Sequence, residues 1–209
     1  MYQKRSYVKK DASMIFDFIH QHSFATFVLK GDRLLGTHIP VLAQGQPDQF
    51  RLFGHISDHF NEQKKYLKDG VEALLIFHGP EAYVSSSWYQ KKNISTWDYA
   101  AVHVNAKITV QTGDELESSL KKLVHRFEKK QEKPLFYDEI PKKMIDDQFP
   151  HITGFWAEPF HIEAVAKLHQ GYPDEDVEST IKHLEEQDDP MARCLAESMR
   201  NEHKKYQKE

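Results

Sequence analysis

Between residues 23 and 110 the chain is a series of short apolar runs separated by turn residues, with no regular alternation of strand and helix. That pattern points to an antiparallel sheet, closed or sandwiched, because parallel strands need a long crossover, usually a helix, between them. Strand-like runs cover residues 23–29, 34–42, 49–56, 71–77, 81–89 and 99–110. Gly31-Asp32, residues 44–48 with Gly45 and Pro47, and Gly79-Pro80 read as turns. A polar helix is expected over 58–68, ended by Gly70.

The flanks are helical. Asp11 or Ser13 caps a first helix whose apolar stripe is Met14, Ile15, Phe18 and Ile19. A helix starting at Gly113-Asp114 carries Leu116, Leu120, Leu123, Val124 and Phe127 on one side. A short helix over 140–149 and an irregular strand over 152–162, broken by Gly154 and Pro159, come next. Two amphipathic helices close the chain, marked by Val177, Ile181 and Leu184, then by Met191, Cys194, Leu195 and Met199, with Pro190 at the second helix start. The segment from Gly171 onward holds more Asp and Glu than Lys and Arg, which makes it a poor surface for gripping nucleic-acid phosphates.

Composition narrows the classes. The 209 residues are enough for one large domain or one domain with an appendage. No run approaches the roughly 18 apolar residues of a membrane span, and the basic N-terminus lacks the apolar stretch of a signal peptide. A single cysteine, Cys194, excludes an internal disulfide and a cysteine-built zinc site, and a reducing cytoplasm is the natural compartment. The net charge of -4 argues against broad electrostatic capture of nucleic acid. The 13 histidines are scattered without metal-ligand spacing.

Residues 77–104 concentrate Trp88, Trp97, Tyr83, Tyr89 and Tyr99 with four serines, His78 and His103. Such a set suits a ligand cavity, an interface, or two strands with a bulky core and a tyrosine-rich edge. The most site-like backbone runs from Gly54 to Lys64, where a strand joins a helix. Free amides at a helix start attract anions, Ser57 and Asn61 can donate, and Lys64 adds charge. An ordinary capped joint reads the same way, and Asp58 would repel a phosphate if it pointed inward. In Thr37-His38-Ile39-Pro40, Pro40 implies a sheet edge or bulge, where free backbone groups could bond a flat heterocycle or the ladder simply ends. No nucleophile has a visible helper, and no Walker loop or GxGxxG exists.

At these residues the chain resembles the PaiB family, the FMN-binding negative transcriptional regulators of spore-forming bacteria. The carrying segments are Thr37-His38-Ile39-Pro40, Gly54-His55, Phe77-His78-Gly79-Pro80 with Ala82-Tyr83-Val84-Ser85, and Ser87-Trp88-Tyr89. Thr96-Trp97-Asp98-Tyr99 with Ala101-Val102-His103-Val104, Gly154-Phe155, and Lys167-Leu168 with Gln170 follow in order. Departures are Asn61-Glu62-Gln63 in place of Asn-Pro-Gln, one extra residue between Gly54 and Asn61, Ala106 in place of Gly, and Lys167-Leu168-His169-Gln170-Gly171 in place of Lys-Leu-Ser-Gln-Asn.

The resemblance implies an α+β fold: a six-stranded antiparallel split β-barrel, as in pyridoxamine-phosphate-oxidase-like flavoproteins, with peripheral helices and a helical C-terminal tail. The FMN-binding domain would cover 1–170 and the tail extension 171–209. A homodimer would hold FMN at its interface. Thr37, His38, Ile39 and Pro40 would flank the isoalloxazine. Gly54, His55, Ile56, Ser57, Asn61 and Lys64 would approach the phosphate. Trp88, Tyr89 and Trp97 would come from the partner subunit. The implied function is repression of sporulation and degradative-protease genes. DNA contact, where direct, falls to the helix carrying Lys121, Lys122, His125, Arg126 and Lys129. An FMN-dependent oxidoreductase is the alternative, and a haem-binding protein the third reading.

Overall fold

The computed structural model of the chain describes residues 1–206. Eight strands occur: β1 (Val8–Lys9), β2 (Phe24–Lys30), β3 (Leu34–Pro40), β4 (Leu42–Gln46), β5 (Gln49–Ser57), β6 (Glu72–Val84), β7 (Thr96–Val110) and β8 (Ile152–Lys167). Five α-helices accompany them: α1 (Ala12–Gln21), α2 (Gly113–Glu128), α3 (Lys142–Gln148), α4 (Asp174–Glu185) and α5 (Pro190–Tyr206). The strand order is β3-β2-β6-β7-β8-β5-β4, with β1 added against β8. The order ends at β3 and β4, so this is an open antiparallel path and not a closed barrel.

The sheet has eight strands, where the resemblance implies six. One extra is the two-residue β1. Another arises because the run 34–42 breaks at Val41, whose N–H leaves the ladder and donates to Ser23 O at 2.7 Å. The chain then resumes as β4, so Gln44, Gly45 and Gln46, expected to turn, pair with Arg51, Phe50 and Gln49. Conversely, Gly79-Pro80 does not turn. It lies inside β6, and the β2 ladder on β6 spans only Ala73 to Ile76. Pro80 therefore lies beyond the β2 ladder, and its missing N–H costs no bond to that strand. The expected helix over 58–68 shrinks to a 3₁₀ turn, Glu62–Lys65, because Phe60 at φ 55 interrupts any helical run before it.

The chain divides into two compact units. The first takes Phe16–Phe77 and His103–Ile162. Its core includes Phe27 stacked on Phe155 at 4.7 Å between ring centroids, with Leu29, Leu52, Ile56, Leu75 and Ile108 buried. Thr112 caps α2 in a capping box with Glu115, and the other Glu115 oxygen accepts from Trp156 Nε1 at 3.0 Å. The helix start is thereby tied to β8.

The second unit takes Met1–Ile15, His78–Val102 and the chain from Glu163 onward. Asp11 caps α1 by accepting from Met14 N at 2.7 Å. The apolar stripes of α4 and α5 meet Ala82, Val84, Tyr89 and Leu168 in one buried cluster. Cys194 is exposed on α5, beside the buried Leu195. Leu184 is fully buried in this cluster, so Leu184→Ala removes transfer energy and leaves a cavity. We expect a loss of about 2–5 kcal/mol, read as a lowered urea midpoint.

Candidate functional site

The joint after β5 is built by close approach and then by one buried amide. Gly54 is buried where β5 passes the β3–β4 corner; a Cβ there would stand 3.2 Å from Pro40 O and 3.3 Å from Val41 Cγ2. Only a residue without a side chain fits that crossing comfortably. Beyond Ser57 the chain turns through Asp58, His59 and Phe60 to Asn61, whose Oδ1 accepts from Gln63 N at 3.0 Å and starts the 3₁₀ turn. Gln63 is buried, and its Nε2 donates to Phe27 O at 3.1 Å and to Leu35 O at 2.9 Å. This pins the turn to β2 and β3.

A cleft of about 440 Å³ results, lined by Thr37 of β3, Ser57, His59, Phe60, Asn61 and Gln63, with Arg33 and Glu62 at its side. Ser57 Oγ accepts from His59 N at 3.3 Å, which leaves its O–H to donate. Asn61 likewise has its oxygen engaged and its NH₂ available. These are neutral donors suited to an oxyanion. Two nearby cations, Arg33 and Lys64, are compensated. Arg33 makes a two-pronged pair with Glu62, at 2.7 and 3.1 Å, and this bonding holds the Glu62 carboxyl below its usual range. Lys64 lies 2.8 Å from Asp58 and also bonds Thr153. Burial pushes the Asp58 carboxyl up, but the hydrogen bonds from Lys64 and Thr153 together outweigh it and leave Asp58 below the usual range.

Of the residues singled out in sequence, Thr37, Ser57 and Asn61 share this cleft. Lys64 is held by Asp58 and Thr153 and does not line it. His38 is exposed on β3 and stacks on Phe24; Ile39 and Ile56 are core side chains, so only their backbone is offered. Pro40 ends β3, which lies at the end of the strand order. His55 is half-buried on β5, and burial pulls its pKa below 6.5. In the second unit, Tyr89 is buried against the tail helices, Trp88 stacks on His183 at 5.0 Å and offers its carbonyl to Ser179, and Trp97 is exposed. Sequence reasoning missed Arg33, Glu62 and Gln63 as cleft-builders. Their partners lie roughly 30 residues away, so no local spacing marks them.

A family model described as "Putative FMN-binding domain" matches residues 1–158. The chain belongs to that FMN-binding family. Over 206 residues it is 31% identical to Protease synthase and sporulation protein PAI 2 of Bacillus subtilis (strain 168), covering 98% of this chain and 99% of that one. Among solved structures, the FAD and heme binding protein from Mycobacterium smegmatis matches at TM-score 0.58 and 15% identity, covering 83% of this chain and 80% of that one. The flavocytochrome Anf3 from Azotobacter vinelandii matches at TM-score 0.57 and 11% identity, covering 84% and 77%. At such identities the likeness establishes the split-barrel flavoprotein fold alone. Membership in this family makes FMN the cofactor of the chain.

Two outcomes test this geometry. Gln63→Leu leaves Phe27 O and Leu35 O without their partner while removing the buried, unpaired Gln63 Oε1. The net loss should be about 2 kcal/mol in urea unfolding. His55 has a folded pKa below its unfolded value, so the unfolded state takes up its proton first. Stability should be full above about pH 6.5 and fall below it, and His55→Gln should flatten part of that slope.

Proposed function

We propose that this chain is a cytoplasmic, homodimeric, FMN-binding negative regulator of transcription acting on protease and sporulation genes. The observation that carries the reading is the end-to-end match to PAI 2, whose name ties that protein to protease synthesis and sporulation. The family match over residues 1–158 supports FMN as the ligand. Among the described residues no helix is long and apolar enough to cross a membrane, and no group of three or more His, Cys, Asp or Glu is placed to hold a metal ion.

FMN, when bound, supplies a flavin ring able to accept and return electrons. Thr37, Ser57 and Asn61 would hold its phosphate through neutral donors. The edge backbone of Thr37 to Pro40 would lie along the ring, with His55 further down β5. The FMN-binding part would span 1–170 and the extension 171–209, of which 207–209 lie outside the described residues. Trp97 of a second subunit, exposed here, would close the ring's open face. Trp88 seats α4 by accepting from Ser179, and the Gln90 N–H beside Tyr89 donates to Asp176.

Because Glu62 occupies Arg33, phosphate affinity is held down. Glu62→Gln should release Arg33 and tighten FMN several-fold, and Ser57→Ala with Asn61→Ala should weaken it, read by flavin fluorescence quenching. The full test is the absorbance and mass of the copurifying molecule, the sedimentation mass, and a gel shift of a protease-gene promoter fragment at low salt. A yellow dimer that retards the fragment supports the reading. A colourless monomer that ignores both FMN and the fragment overturns it. Rapid NAD(P)H oxidation by the loaded protein would instead favour an oxidoreductase.

A further inference from the structure

A second cavity, of about 590 Å³, opens between α2, the β4–β5 hairpin and the segment Phe136 to Asp138. Its size is typical of a small-molecule site. It shares no lining residue with the cleft beside Thr37 and Ser57, so a ligand bound there is independent of the FMN reading.

The floor is apolar. Leu42 and Ala43 come from β4, Phe53 from β5 and Phe136 from the loop. The His125 ring lies on Phe136 at 5.4 Å and 25°, extending that flat surface. The rim is cationic, but its charges are not equivalent. Lys121 is compensated by Asp138 at 3.0 Å and Glu117 at 3.4 Å. Lys122 reaches the neutral Gln44 Oε1 at 2.9 Å, and Arg126 the neutral carbonyl of His20 at 2.9 Å. Neither pairs with a carboxylate among the described residues. Lys129 lacks an acid partner there too, although it caps α2 where helix carbonyl dipoles take up part of its charge. Burial, then Arg126, hold His20 below its ordinary pKa, so it is neutral at pH 7.

The last element is Tyr137. It lines the cavity, is 8% exposed, and its hydroxyl has no hydrogen-bond partner. A buried hydroxyl left unpaired is uncommon and asks for an acceptor. We propose that this cavity binds a small amphipathic carboxylate, with its ring or alkyl body on Leu42, Phe53 and Phe136. Its anionic end meets Lys122 and Arg126 and accepts from Tyr137. The same basic face of α2 could be assigned to DNA, but two of its cations are folded over a cavity by Gln44 and His20. Side chains that read a groove must project.

The test is calorimetric titration of the whole chain with benzoate and octanoate, with benzyl alcohol and benzylamine as controls of similar body and different charge. One carboxylate per chain should bind, about tenfold tighter than alcohol or amine. Lys122→Gln with Lys129→Gln should lower carboxylate affinity about tenfold and leave the alcohol unchanged. Tyr137→Phe should weaken the carboxylate several-fold with no fall in thermal midpoint, since that hydroxyl has no partner to lose. Ala43→Leu, filling the floor, should remove binding of both classes while circular dichroism confirms the fold. Equal affinity for carboxylate and alcohol, or indifference to these variants, would overturn the proposal. So would a double Lys variant that keeps carboxylate binding and loses retention of a DNA duplex at low salt.

Discussion

The side-chain amide of Gln63 fixes the loop that makes this chain more than a sheet. Two strand carbonyls, Phe27 O and Leu35 O, accept from one buried NH₂. Besides that anchor the residues after Ser57 are held by the Asp58 N–H donating to His151 O at 2.8 Å, by Asp58 accepting from Thr153 at 2.6 Å, by the Asn61 cap and by two ion pairs, none of which bonds to β2 or β3. With the anchor, the Asn61 cap and the Ser57 hydroxyl face one cleft. The crossing at Gly54 sets the same geometry from below, because β5 reaches the joint only by running close beneath Pro40 and Val41.

Charge divides two concave regions of the first unit, the cleft after β5 and the α2 cavity. At the cleft, acids pair with Arg33 and Lys64, and the donors offered by Ser57 and Asn61 are neutral. At the α2 cavity, Lys122 and Arg126 meet only neutral acceptors. Coulomb attraction for an anion is therefore stronger at the second place, while shape and directed donors matter more at the first. Glu62 is one of the departures from the family pattern visible in sequence, and its pairing with Arg33 gives that departure a physical effect.

Much of this was legible from the chain. Asp11 as a cap, the helix begun at Gly113-Asp114, the paired tail helices, and an antiparallel sheet all follow from local chemistry and period. The joint after Gly54 was also readable, because a strand ending in hydroxyl and amide donors is a local pattern. What escaped reading depends on distant partners. Gly79-Pro80 reads as a turn, yet β6 runs through it because the β2 ladder stops at Ile76. Lys64, expected to approach the phosphate, pairs with Asp58 and bonds Thr153. Tyr89, one of the aromatics suited to a cavity, an interface or a core, is buried in the cluster with α4 and α5. The resemblance conveyed the family, but six strands became eight through a two-residue pairing that no local signal announces and a break at Val41 that Pro40 alone foreshadows.

Cys194 stands on the outer side of α5, and these 209 residues hold no other thiol. A disulfide formed within this sequence by air oxidation can therefore only join two molecules. A band of doubled mass on a non-reducing gel would report that accident of storage as readily as any native pairing. Subunit association is better judged with reductant present, or after the thiol is blocked.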